Sequence, residues 1–171
     1  MIQQLKAKDP SINAQALNML NLHELPGSYD LIFCIGNSLV HLDNPEEMKQ
    51  FLTACKSKLK SGGKLILQIV NFDRILEKDI KQLPTITNDE HHLTFERYYN
   101  YLPGQHKVDF KTVLTVQGES YENHVPLFPI RSAEIRALLD TAGFTTLELF
   151  GSFKKDPYDP SESSALVIIA R

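Results

Sequence analysis

Cysteine is scarce in this sequence, two in 171 residues, and neither falls in a CxxC pair or a metal-ligand spacing. That excludes a disulfide framework and a structural zinc. It leaves Cys34, within an apolar run, and Cys55, on the apolar side of a helical pattern, as small buried hydrophobes. No apolar run approaches the ~20 residues that a membrane-spanning helix needs. The opening "MIQQLKAKDP" is too polar for the apolar core of a signal peptide. A charge excess is lacking too: 18 Lys and Arg stand against 21 Asp and Glu, a net charge of −3. Nothing there draws in nucleic acid or an anionic membrane as a main partner. Repeats and low-complexity tracts are absent as well. The expectation is a cytoplasmic chain of one domain, long enough for a sizeable core and at most a modest insertion.

What is present alternates between apolar strands and helices. Residues 1–9 carry Ile2 and Leu5 at helical spacing, and Pro10 stops the pattern. "INAQALNM" reads as a short strand, and "YDLIFCIG" as a more continuously apolar one, suited to a parallel strand covered on both faces. Residues 44–63 are the clearest helix, with Asn44 as N-cap, Pro45 at the first helical position and Glu47 three residues after the cap. Met48, Phe51, Leu52, Cys55 and Leu59 make its apolar stripe, and Gly62-Gly63 end it before the strand "KLILQIVN". Strand, helix, strand in that order predicts a right-handed parallel crossover.

The pattern then changes to alternation. Phe95, Arg97, Tyr99 and Tyr101 share one face of residues 92–101, and Val108, Phe110, Thr112, Leu114 and Val116 share one face of 107–117, with "LPGQH" turning between them. This predicts an antiparallel hairpin. Ser132 then caps a helix over Ile135, Leu138, Leu139 and Ala142, and "FTTLELFGSF" and "SALVIIAR" are closing strands joined by a long loop. "NDEHH", residues 88–92, reads as a solvated loop, since adjacent histidines on an extended chain point to opposite faces. No metal is expected.

The order of these elements resembles the C-terminal two thirds of a class I S-adenosylmethionine-dependent methyltransferase. The segments that carry the likeness are "ALNMLNLHEL", "YDLIFCIGNSLVHL", "KLKSGGKLILQIVNFDRI", "SAEIRALLDTAGF" and the closing strand pair. The insertion is similar to that of the glycine/sarcosine and amino-sugar N-methyltransferase branches. The resemblance implies an α/β Rossmann-like fold, truncated to strands in the order 3-4-5-7-6, with a small antiparallel β insertion. Residues 1–71 and 126–171 would form the cofactor-binding core, and residues 72–125 a hairpin lid over the substrate. The sequence departs from the family in lacking the opening strand, the GxGxG turn and the acidic strand end that follows it. The expectation is either a piece of a longer protein or an early segment that repacks or pairs with a second copy, because the "INAQAL" strand would otherwise stand without a neighbour.

The stretch "FCIGNSLVHL" frames the site. An apolar strand that breaks at a glycine into small polar residues ends in a tight turn or at a ligand, and ligands in open α/β sheets sit at the carboxyl ends of strands. The resemblance implies that Ile35, Gly36 and Asn37 line S-adenosylmethionine at its methyl end, with Gly36 admitting close backbone approach. Asn18 stands where the family commonly has an acidic contact to the adenine amino group, and Met19 would pack on the ring. Asn37, Asn71, Arg97 and Tyr99 are the expected contacts to a small-molecule acceptor. His41 is the candidate to orient or deprotonate it. The implied reaction is methyl transfer to a small acceptor, at an amine nitrogen. The competing readings are a non-catalytic methyltransferase-like subunit and an inactive fragment of a longer methyltransferase. A nucleotide-binding oxidoreductase is disfavoured by the antiparallel last strand and the lack of GxGxxG.

Overall fold

A computed structural model describes residues 2–171. Met1 of the expected first helix lies outside the described residues. A helix, α1, covers Ile2–Lys8 and buries none of its side chains. After a 3-10 turn at Met19–Glu24 comes β1 (Tyr29–Cys34), then a second 3-10 turn at Ser38–His41, α2 (Pro45–Lys58) and β2 (Leu59–Val70). The short α3 (Phe72–Glu77) leads into β3 (Gln82–Asn88), β4 (Leu93–Leu102), β5 (Lys107–Val116) and β6 (Glu119–Leu127). The chain closes with α4 (Ser132–Thr141), β7 (Leu147–Phe150) and β8 (Ala165–Ala170).

Two four-stranded sheets result, ordered β1-β2-β8-β7 and β3-β4-β5-β6. In the first, β1 and β2 run parallel through the α2 crossover, and β8 pairs antiparallel with both β2 and β7. One face is the core. Leu65, Leu67 and Ile69 of β2 and Leu166 and Ile168 of β8 are buried together with Met48, Phe51, Leu52 and Cys55 of α2 and Ile135 and Leu139 of α4. Each such side chain contributes about 1.5–3 kcal/mol relative to exposure. Burial also pushes the Cys34 thiol up to about 11 and the Cys55 thiol up to about 12, so both remain protonated. The opposite face is not covered as expected: Leu31, Phe33 and Ile35 are 47%, 63% and 42% exposed.

α2 begins where its residues predict, since Asn44 Oδ1 accepts from the Glu47 amide at 2.9 Å. Glu47 Oε2 reaches back to the Asp43 amide at 2.9 Å. It ends earlier than expected, at Lys58, because Leu59 is already extended and pairs with Tyr29. Three further expectations are corrected. "INAQALNM" forms no strand; β1 pairs only with β2, so the four core strands correspond to 4-5-7-6, and residues 13–18 run without a ladder partner. The insertion is a four-stranded sheet rather than a hairpin. Ser132 is the first helical residue of α4; its amide is held by Asp73 Oδ2 at 2.9 Å, and Glu134 Oε2 accepts from the Arg131 amide at 2.8 Å.

The insertion sheet joins the same core. Tyr99, Val108 and Leu127 are buried in one cluster with Phe72 and Ile75 of α3. Tyr99 meets Phe72 edge-on with ring centroids 6.4 Å apart and lies 5.1 Å from the Phe110 ring.

Candidate functional site

The carboxyl end of β1 is a tight turn with a cavity on each side of it. Gly36 and Asn37 both take left-handed backbone, with φ of 73° and 65°. Glycine adopts this at no steric cost and asparagine at little. The turn is fastened to β2: the Gly36 amide donates to Gln68 Oε1 at 2.8 Å, and Asn37 Oδ1 accepts from the Val70 amide at 2.9 Å. Ser38 Oγ donates to the Ile35 carbonyl at 2.7 Å, closing the turn on itself. Gln68 was not singled out from sequence. A polar residue inside "LILQIV" was the signal that could have found it.

On the insertion side the turn opens to a cavity of about 310 Å³ whose walls include Gly36, Asn37, His41, Arg97, Tyr99 and Phe110. The structure therefore brings together five of the residues singled out in sequence, from elements some 60 positions apart. His41 ends the 3-10 turn and is exposed. That turn is clamped to the insertion: the Phe128 amide donates to the Val40 carbonyl at 2.8 Å, and Lys107 Nζ donates to the Asp43 carbonyl at 2.7 Å. Tyr99 is 4% exposed, and its burial raises the phenol pKa, so it stays protonated.

Arg97 is the unusual member. Its Nη2 donates to the Pro84 carbonyl at 2.8 Å and its guanidinium carbon lies 5.8 Å from the centre of the Phe95 ring. Its Nε is buried without a hydrogen-bond partner, and among the described residues the guanidinium makes no ion pair. A cation that borders the cavity without a carboxylate partner from its own chain can take an anionic group from outside it.

On the other side of the turn, an apolar recess of about 340 Å³ is bounded by Met19, Leu22, Phe33, Cys34, Ile35, Ser38 and Phe51. Asn18 borders the adjoining groove. Its Oδ1 accepts from the Leu20 amide at 2.9 Å, so it caps the 3-10 turn with the oxygen expected to meet an adenine amino group. Met19 and Phe33 both line this recess. Gly36 leaves open space where a side chain would stand.

Asn71 is not brought to either cavity, which corrects its expected contact with an acceptor. It is 1% exposed at the end of β2. Its Nδ2 donates to the carbonyls of Pro160 and Ser163, each at 2.8 Å, and Tyr158 Oη lies 2.8 Å from its Oδ1. These partners belong to the loop between β7 and β8. Burial, with Asp73 Oδ2 at 2.9 Å, raises the Tyr158 pKa far above its ordinary value. Asn71 locks the loop down with every polar atom in use.

A scan against protein-family models matches none. Among curated proteins, a glycine/sarcosine N-methyltransferase of Aphanothece halophytica is 28% identical over 128 residues, 74% of this chain and 46% of its own length. The chain thus spans about half the length of the curated relatives it matches. Among solved structures, an S-adenosylmethionine-dependent methyltransferase from Clostridium acetobutylicum superposes with a TM-score of 0.81 at 13% identity, covering 99% of this chain and 68% of that one. The CcbJ methyltransferase of Streptomyces caelestis gives 0.80 at 18% identity, covering 99% and 70%. The fold is that of class I S-adenosylmethionine-dependent methyltransferases, as the resemblance implied.

Proposed function

We propose that the cavity beside Gly36, Asn37, His41, Arg97 and Tyr99 holds the acceptor of a methyl transfer from S-adenosylmethionine, and that the atom methylated is an amine nitrogen. The observation that carries this reading is the pair of cavities meeting at one turn: an apolar recess on the Ile35 side, and on the Gly36-Asn37 side a second cavity that sets Asn37, His41 and Arg97 among the apolar walls of Val70, Leu83, Val125 and Leu127. S-adenosylmethionine, when bound, supplies a methyl group on a positive sulfur, open to attack from the side opposite the departing thioether. Met19, Leu22 and Phe33 are the residues that would hold its apolar ring, with Gly36 letting the backbone come close. The relatives, glycine/sarcosine N-methyltransferases by name, support nitrogen as the acceptor atom and a small molecule as its bearer.

The chain's own contribution is alignment. A neutral amine is already a nucleophile, so the site has mainly to hold it in line and exclude water. The half-buried Arg97 guanidinium orients the acceptor by an anionic group, the protonated Tyr99 phenol can donate to it, and the His41 imidazole receives the proton that the product ammonium loses. The insertion, residues 72–125 of the earlier expectation, acts as the lid, since it supplies Arg97, Tyr99 and Phe110.

The direct test is transfer of a labelled methyl group from S-adenosylmethionine to glycine and to ethylamine, which has an amine but no anionic group. Methylation of glycine that Arg97→Met weakens at least about tenfold, the scale of a charge-assisted hydrogen bond, supports the reading. Equal transfer by wild type and variant would remove Arg97 from the acceptor site.

A further inference from the structure

The insertion sheet extends the cavity beside Asn37 and Arg97 outward in ordered rows. Across the face that bears Tyr99, the strand register sets Tyr99 beside Phe110 and Val125. Next outward come Leu83, Arg97, Thr112 and Asn123, and beyond them Ile86, Phe95, Leu114 and Tyr121. Residues directly opposite one another in antiparallel strands share a face, and rows two residues apart are separated by ~7 Å. An apolar row, a polar row built around Arg97 and a second apolar row therefore follow in sequence.

The outer row exists because of one irregularity. The register of β3 slips between Leu83 and Ile86. Unbroken alternation would have set Thr85 opposite Phe95; the extra residue sets Ile86 there instead. The carbonyl that accepts from Arg97 is that of Pro84, inside the same slip. One bulge thus both anchors the cation and completes the apolar row beyond it. The row is open to solvent at its ends, with Ile86 48% and Tyr121 59% exposed. The reverse face of these strands is mainly polar, with Glu96, Tyr98, Lys111, Glu122 and His124 around Val113, so the apolar row belongs to the side that continues the cavity. Single exposed hydrophobics need no explanation, but here the exposed Ile86 and Tyr121 are joined in register through the half-buried Phe95 and Leu114 into one row across all four strands.

We infer that Ile86, Phe95, Leu114 and Tyr121 form a shelf for an apolar extension of the acceptor, a flat or aliphatic group carried ~7 Å beyond its anionic centre. The inference rests on the reading of the cavity as the acceptor site. It is argued from continuity: the Phe95 ring lies under the Arg97 guanidinium, so a ligand held by that cation is already at the shelf's inner edge. The acceptor is then an amphipathic amine, larger than glycine.

Calorimetric titration of the full chain, with S-adenosylhomocysteine present, tests this using glycine, phenylalanine and 4-phenylphenylalanine as probes. Affinity is expected to rise at least about tenfold from glycine to 4-phenylphenylalanine, as burial of an aromatic group requires. In Leu114→Thr/Tyr121→Ser that gain should fall below about threefold, with glycine binding kept. Ile86→Thr, on the edge strand, repeats the test without touching the middle of the sheet. Equal affinities across the series, or a gain that survives in the variants, overturns the shelf and leaves the cavity reading standing. Failure of every probe to bind overturns the cavity reading and the shelf with it. A dimer in sedimentation that Tyr121→Ser abolishes makes the row an interface between copies and overturns the shelf alone.

Discussion

The neighbouring strands β1 and β2 run side by side and end alike, each in an apolar run followed by an asparagine, yet the two ends do opposite things. At the end of β1, Asn37 fastens its turn with a single carboxamide oxygen and the turn faces a cavity on either side. At the end of β2, Asn71 is sealed under the loop between β7 and β8 with both its oxygen and its nitrogen engaged. A polar residue after a buried strand is thus no sign of a site by itself. What decides is whether another part of the chain arrives to satisfy it.

The sharpest way to break that comparison is Asn71→Ala. Removing the donor shared by the Pro160 and Ser163 carbonyls, and one of the two acceptors at the Tyr158 hydroxyl, should cost roughly 3 kcal/mol of stability. Denaturant unfolding measures it; a loss as small as that of Asn37→Ala, about 1 kcal/mol for one partly exposed hydrogen bond, would erase the distinction. Arg97→Met should reverse the order of effects: stability falls by only about 1 kcal/mol, for the single hydrogen bond from Nη2 to the Pro84 carbonyl, while binding of an anionic acceptor falls at least about tenfold. Gly36→Ala should cost about 1–2 kcal/mol through its positive φ alone, since no atom stands where the new methyl would go. A cost beyond that would mean the turn is packed more tightly than the geometry gives.

The smallest effect lies away from both strand ends. His124 sits between Asp109 and Glu122, 2.9 and 2.7 Å away, with Lys111 on the far side of Glu122. The hydrogen bonds to Glu122 and Asp109 raise its pKa above the ordinary value of 6.5. A raised folded value means that the proton binds the folded chain more tightly. The stabilisation is therefore complete below about pH 6.5 and lost as pH rises through the folded value. Melting temperature measured against pH should show this in wild type and lose it in His124→Gln; an unchanged profile in the variant would assign the pH dependence elsewhere.

The core was legible because its signals are local. Asn44, Pro45 and Glu47 start α2 as their types require, and the apolar runs of β1, β2 and β8 became the central strands. β3 and β6 were not, since "QLPTITN" and "ESYENHVPL" carry too few apolar residues to alternate and both contain proline, as edge strands do. The Gln117-Gly118 pair, both at positive φ, was the turn signal that marked β6. The strand expected at "INAQALNM" did not form, because a strand is a pairing and its residues have no partner strand. In the site, Gly36, Asn37 and His41 follow from the position of a strand end, and Arg97 and Tyr99 from alternation along β4. Asn71 misled because its partners lie some 90 residues later in the chain. No local pattern announces them.

The most direct test is amide NMR of the labelled chain during titration with S-adenosylhomocysteine. The expected result is a saturable shift of the amides of Cys34, Ile35, Gly36 and Ser38, at the open end of β1, with Asn71 and the loop at 158–163 unmoved. Shifts centred on Asn71, or none along the turn at 35–38, would contradict the assignment of the end of β1 as the site.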